Sequence, residues 1–197
     1  MAFVEPSVKL YTGVQMPLLG LGTYQMRGAV CVAAVEHALR AGYRLLDTAQ
    51  VYKNEADVGA GLRASGVARD AIFIVSKLEP KAQGAGAYDA CCRSLEALGV
   101  TYIDMFLIHW PGVAGCKPAD PSQAATRQQS WLCLQRLVTE GKARAIGVSS
   151  EWGGKGGAAE GWARCAAGAW AGWCAERHGR LGSYGCTAPP PPMRPPA

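Results

Sequence analysis

Four segments with a helical apolar period each stop at a glycine, and each glycine is followed by a short apolar run. The segments are 29–41, 54–65, 87–98 and 123–140, and the glycines are Gly42, Gly66, Gly99 and Gly141. Glycine just past a helix takes the left-handed conformation that ends it. The runs that follow, 43–47, 71–77, 102–109 and 143–149, have the length and content of strands. Strict alternation of strand and helix means parallel pairing through right-handed crossovers. A shorter run, 17–22, supplies an earlier strand, and 9–11 with 14–16 around Thr12-Gly13 reads as a small hairpin ahead of it. The fold class is α/β, with about five β-strands and four helices in residues 1–150.

The same periods predict the faces. In 29–41 the apolar stripe is positions 30, 33, 34, 38 and 41; in 87–98 it is Cys91, Leu95 and Leu98; in 123–140 it is Trp131, Leu134, Leu137 and Val138. Asn54 stands where the second helix needs an N-cap. Glu36 and Arg40 are four apart and form a surface pair, and His37 beside them is structural. Leu46, Ile74, Phe106 and Ile146 are read as the residues facing the interior of the sheet.

The strands end on chemistry. Asp47 closes 43–47, Lys77 closes 71–77 and His109 closes 102–109, while Tyr52 sits in the loop above Asp47. In parallel α/β architectures that carboxyl edge is where ligands bind. Net charge is +5 without a basic run longer than two residues, so nucleic acid and membrane surfaces are not expected partners. The first nine residues lack the apolar core of a signal peptide and no run approaches ~20 apolar residues. Eight cysteines form no Cys-x-x-Cys and pair with no spaced histidines, so they read as free thiols of a cytoplasmic protein, and no metal site is indicated.

Leu18-Leu19-Gly20-Leu21-Gly22-Thr23-Tyr24, Asp47-Thr48-Ala49 with Tyr52, Asn54 and Glu55, Ser76-Lys77, Ile108-His109-Trp110-Pro111 and Ala145-Ile146-Gly147-Val148-Ser149 occur in this order. Together they resemble the aldo-keto reductases over residues 7–150. The resemblance implies a (β/α)8 barrel of TIM type, an extended nicotinamide cofactor, usually NADPH, and reduction of small aldehydes and ketones. Asp47, Tyr52, Lys77 and His109 match the catalytic tetrad. Gly22, Thr23, Tyr24 and Asp47 match contacts to the nicotinamide ribose, and Ser149 matches the serine that holds the carboxamide. Ser150 stands where the family usually has asparagine, and its hydroxyl offers one donor where an amide offers two. Tyr24, Tyr52, His109 and Trp110 are the expected substrate contacts.

Each residue also has a plainer reading. An Asp at a strand exit is often a turn residue, a loop Tyr a packing residue, a terminal Lys a solvated one, and a His before Trp-Pro structural. The four in order favour the tetrad. Tyr52 is then the proton donor, and because a free phenol has a pKa near ~10, Lys77 is expected to lower it, with Asp47 holding the ammonium and His109 positioning the carbonyl. Gly20-x-Gly22 does not continue as a dinucleotide fingerprint, since Gln25 takes the third glycine's place, and no Tyr-x-x-x-Lys occurs.

Residues 151–197 differ in kind. They contain no Ile, Val or Phe, a single leucine (Leu181), Trp152, Trp162, Trp170 and Trp173, and a proline run at 189–192. This Gly/Ala/Trp/Pro-rich segment reads as an irregular, disordered tail, of a composition that suggests another reading frame or a retained intron. The family's later strands, which carry a glutamine, a stacking aromatic and the 2′-phosphate clamp, have no counterpart there. A full barrel takes about 250 residues, so the expectation is an incomplete one whose open edges permit self-association. The alternative function is a catalytically inactive truncated or mis-spliced product, at most an interaction fragment.

Overall fold

The computed structural model describes residues 6–117 and 120–150, and the readings made for 151–197 lie outside the described residues. A two-stranded antiparallel hairpin, β1 (Ser7–Lys9) and β2 (Gln15–Pro17), precedes the main sheet. The sheet has five parallel strands in sequence order: β3 (Leu21–Gly22), β4 (Leu45–Asp47), β5 (Phe73–Leu78), β6 (Ile103–Ile108) and β7 (Ala143–Val148). Helices α1 (Gly28–Arg40), α2 (Glu55–Ser65), α3 (Ala87–Leu98) and α4 (Ser122–Thr139) fill the crossovers. This is the strand–helix succession of an incomplete (β/α)8 barrel.

The glycines end the helices as expected. Gly66 and Gly99 are the caps of α2 and α3 at φ 70° and 69°, a conformation a Cβ would strain. Gly59 serves a different purpose, because a Cβ there would run into the Leu98 carbonyl where α2 crosses α3. Asn54 precedes α2, but its side chain makes no cap. The amide donates to the carbonyls of Thr23 (2.8 Å) and Met26 (2.9 Å) and accepts from the Thr48 hydroxyl (3.1 Å). It ties the loop after β3 to the loop after β4.

Several local readings are corrected. The hairpin forms around the expected turn, but its strands sit one or two residues farther from it than 9–11 and 14–16, because Leu10 turns inward and its N–H bonds the Val14 carbonyl within the turn. The buried stripe of α1 is Cys31, Val35, Ala38 and Leu39, and Val30 is exposed. The helix is apolar on most sides near its start, so its period alone did not fix its phase. The pair Glu36–Arg40 forms at 2.9 Å. The stripe of α3 buries Cys91, Leu95 and Leu98, and α4 buries Trp131, Leu134 and Leu137.

The largest correction concerns the sheet faces. Register pairs Leu46 with Ile74 and Phe106 with Ile146, so these four share a face. It is the outer one: Ser76, on this face opposite Phe106, donates to Glu55 of α2 at 2.6 Å. The opposite face carries Phe73, Val75 and Ala145, buried together with Leu10, against which Val8, Val14, Met16, Leu45, Met105 and Leu107 pack. The hairpin therefore covers the inner face from below. Asp47, Lys77 and His109 follow this inner set by the two-residue period of a strand.

The amino-terminal edge is held by charge. Asp104, 1% exposed, accepts from Arg69 at 2.6 Å, from Arg144 at 2.9 Å and from the Ile74 N–H at 3.0 Å.

Candidate active site

The carboxyl edge of the sheet gathers the candidate residues in layers. Lowest lies Lys77, on a fully buried strand, with its Nζ 2.6 Å from Asp47 Oδ1 and 3.0 Å from the Thr48 carbonyl. The side chain of Lys77 is 8% exposed and that of Asp47 is 37% exposed, so the carboxylate faces the open side and the ammonium sits beneath it. Tyr52 lies above, at the end of a 3-10 turn, Gln50–Tyr52, with Lys77 Nζ 5.4 Å from its ring centroid. Gln50 anchors this turn from behind. Its amide donates to the Ala90 carbonyl (2.7 Å) and Ser94 hydroxyl (2.9 Å), and its Oε1 accepts from the Glu79 N–H.

The rings then close a cleft of about 390 Å³ lined by Tyr24, Val51, Tyr52, His109 and Trp110. Tyr24 and Tyr52 are 5.0 Å apart between centroids, Tyr52 and His109 5.9 Å and edge-on, and His109 stacks on Trp110 at 3.6 Å and 11°. His109 is buried and its Nδ1 has no hydrogen-bond partner. Burial first, and the Lys77 ammonium second, push its pKa down to about 4, so the imidazole is neutral at physiological pH.

Tyr52 departs from expectation. Its pKa is raised, by burial first and then by the Asp47 carboxylate and Tyr24. Lys77 does not lower it here, because the ammonium is bonded to Asp47 and the Thr48 carbonyl, and desolvation of the phenolate prevails.

Gly22 pairs in register with Asp47, and a Cβ there would meet open space. Thr23, by contrast, is fully buried, and its hydroxyl donates to the Asp47 carbonyl at 3.2 Å. It ties β3 to β4 from behind the cleft. Ser149 follows β7 with its N–H on the Ile108 carbonyl, and its hydroxyl lies 3.2 Å from that of Ser150. Ser150 has φ 57°, a left-handed backbone that asparagine tolerates better than serine.

The partly exposed Asp47 carboxylate, the paired hydroxyls of Ser149 and Ser150, and the open space at Gly22 fit the ribose and carboxamide of a nicotinamide nucleotide. Among the described residues no group of three His, Cys, Asp or Glu could hold a metal ion, and the five cysteines described are free. No described helix is long and apolar enough to cross a membrane. Sequence reasoning missed Val51, which lines the cleft only because the turn before Tyr52 projects it there, and Gln50, whose role is set by contacts some forty residues away.

A parallel α/β barrel sheet with Asp, Lys, Tyr and His converging on its carboxyl edge defines the class. The sequence model of the Aldo/keto reductase family matches residues 18–153, and the chain belongs to that family. The glyoxal reductase of Bacillus subtilis is 42% identical over 149 residues, 75% of this chain and 50% of that protein. An aldo/keto reductase from Brucella melitensis superposes with a TM-score of 0.70 at 38% identity, covering 77% of this chain and 55% of that one. A Bombyx mori aldo-keto reductase solved in complex with NADP gives 0.64 at 34% identity, covering 75% and 51%. The chain spans about half the length of the curated relatives it matches.

Proposed function

We propose that this protein binds NADPH and reduces small aldehydes and ketones to alcohols, with Tyr52 as the proton donor. The observation that carries the reading is the layering of Tyr52 and His109, which line one cleft, over the Asp47–Lys77 pair. The family membership and the relative solved with NADP support the choice of cofactor.

When bound, the cofactor supplies a hydride to the carbonyl carbon. The chain's own residues handle the oxygen. Tyr52, with its raised pKa, stays protonated at neutral pH, the form a proton donor requires. As negative charge develops on the substrate oxygen, the phenol gives it the proton, while the Lys77 ammonium beneath the ring stays paired with Asp47 and offsets that carboxylate's charge. Neutral His109 can donate an N–H to the same oxygen without competing for the proton. Asp47, Gly22, Ser149 and Ser150 hold the ribose and carboxamide; Tyr24 and Trp110 form the aromatic walls that bind the substrate. The described residues account for the nicotinamide end of the cofactor; no counterpart of the family's 2′-phosphate clamp is legible in residues 151–197. The free thiols of Cys31 and Cys91 suit a reducing cytoplasm.

The test is NADPH oxidation by the full chain with a panel of aldehydes that includes glyoxal, the substrate class named for the Bacillus subtilis relative. Tyr52→Phe is the control. Turnover no greater than that of the Phe variant would sink the reading.

A further inference from the structure

The loop after β6 carries Trp110, and one side chain from another crossover grips it at its root. Gln83, between β5 and α3, donates through Nε2 to the Trp110 carbonyl at 2.8 Å and to the Gly112 carbonyl at 3.1 Å. It therefore holds the chain on both sides of Pro111, which has no N–H of its own to anchor it. The amide orientation follows from these partners, because turning it over would set Oε1 against two carbonyl oxygens. The Oε1 that remains is buried and has no hydrogen-bond partner. An orphaned buried acceptor is destabilising, so what the two donors hold in place outweighs it. Further along the loop, Gln123 bonds the Val113 N–H and the Lys117 carbonyl, and the Ala114 N–H bonds the Pro80 carbonyl. These contacts begin beyond Gly112; within the stretch Gln83 holds, Arg127 also donates to the Pro111 carbonyl, at a longer 3.4 Å.

The indole that Gln83 anchors lies flat on the His109 imidazole at 3.6 Å. A continuous path thus runs from a glutamine outside the cleft, through the Trp110 backbone, to a ring inside it.

We propose that Gln83 is a positioning residue: by fixing the Trp110 and Gly112 carbonyls it keeps the indole stacked on His109, which shields the imidazole from water and sets the substrate-binding wall. Its effect on turnover rests on the carbonyl-reduction reading; its effect on the imidazole does not.

The experiment uses the full chain and two variants. Gln83→Leu removes both donors and the orphan acceptor while keeping an apolar filler of similar size, and its far-UV circular dichroism and unfolding transition check that the fold is kept. Gln83→Glu sets a carboxylate against two carbonyls. The first readout is the titration of the His109 ring by NMR, assigned by its loss in His109→Asn. The groups that face His109 are Lys77, Asp47 and Tyr52, and none is changed. The expected midpoint is about 4 in the parent and at least about one unit higher in Gln83→Leu, toward the ordinary histidine value. Ser130→Ala is the control. It removes the hydroxyl that accepts the Gly84 N–H next door, and it should leave the His109 midpoint where it was. The second readout is kinetic: KM for an aromatic aldehyde should rise about tenfold in Gln83→Leu, with kcat changed far less. An unchanged His109 midpoint in Gln83→Leu overturns the proposal. A parent without turnover counts against the functional reading alone, since the titration decides the role of Gln83 without it.

Discussion

Lys77 Nζ lies 2.6 Å from Asp47 Oδ1, nearer to the carboxylate than to the ring of Tyr52, whose centroid is 5.4 Å away. The buried ammonium is thus held primarily by Asp47. Asp47→Asn would leave that charge with the Thr48 carbonyl as its main partner. Breaking a buried pair costs about 3–5 kcal/mol, and the partial exposure of Asp47 reduces this to roughly 2 kcal/mol. Urea unfolding at pH 7 reads it, and a change under about 0.5 kcal/mol would show the pair to be fully solvated.

Tyr52→Phe should lower carbonyl reduction to less than a tenth of the parent rate while leaving NADPH affinity within a factor of about two. The phenol's raised pKa also fixes a pH dependence. The proton donor is intact throughout the neutral range and is lost only as pH rises through a value above the ordinary 10. A reduction rate that already declined between pH 7 and 9 through Tyr52 would contradict the burial of the phenol.

His109 gives stability a pH dependence of its own. Its pKa is about 4 in the folded chain against 6.5 as the ordinary value. As pH falls from 6.5 to 4, the unfolded chain takes up a proton that the folded imidazole refuses. Stability is therefore lost through that window, by up to about 3 kcal/mol, and is fully present above it. His109→Asn should flatten this part of the curve in denaturant titrations run across pH 4–7.

Ser150→Asn should tighten NADPH binding roughly fivefold, the equivalent of about 1 kcal/mol from one added hydrogen bond. Asparagine also accepts the left-handed φ of 57° more readily than serine. Fluorescence titration measures it, and weaker binding would mean that this backbone does not face the cofactor.

Asp104 sits at the opposite edge, where residues of such barrels serve stability. Asp104→Asn leaves Arg69 and Arg144 without their shared carboxylate. The expected loss is about 3 kcal/mol, with activity per folded molecule unchanged. A loss of kcat at constant folded fraction would place Asp104 in communication with the cleft.

The sequence alone determined the order of strands and helices, the glycines that end the helices, and the placing of Asp47, Lys77 and His109 at strand ends. These follow from local signals: an apolar period, a cap, a turn. Because side chains alternate along a strand, it also implied that residues two apart share a face. It did not decide which face was inside. Leu46, Ile74, Phe106 and Ile146 lie on the outer one because helices α2 and α3 and their polar groups, such as Glu55 on Ser76, lie there. The inner one is marked by the hairpin through Leu10. The phase of α1, the use of the Asn54 amide, the direction of the Tyr52 pKa and the grip of Gln83 on Trp110 were likewise settled only by the tertiary structure. Each depends on burial or on a partner more than twenty residues away, and no period in the chain records such a contact.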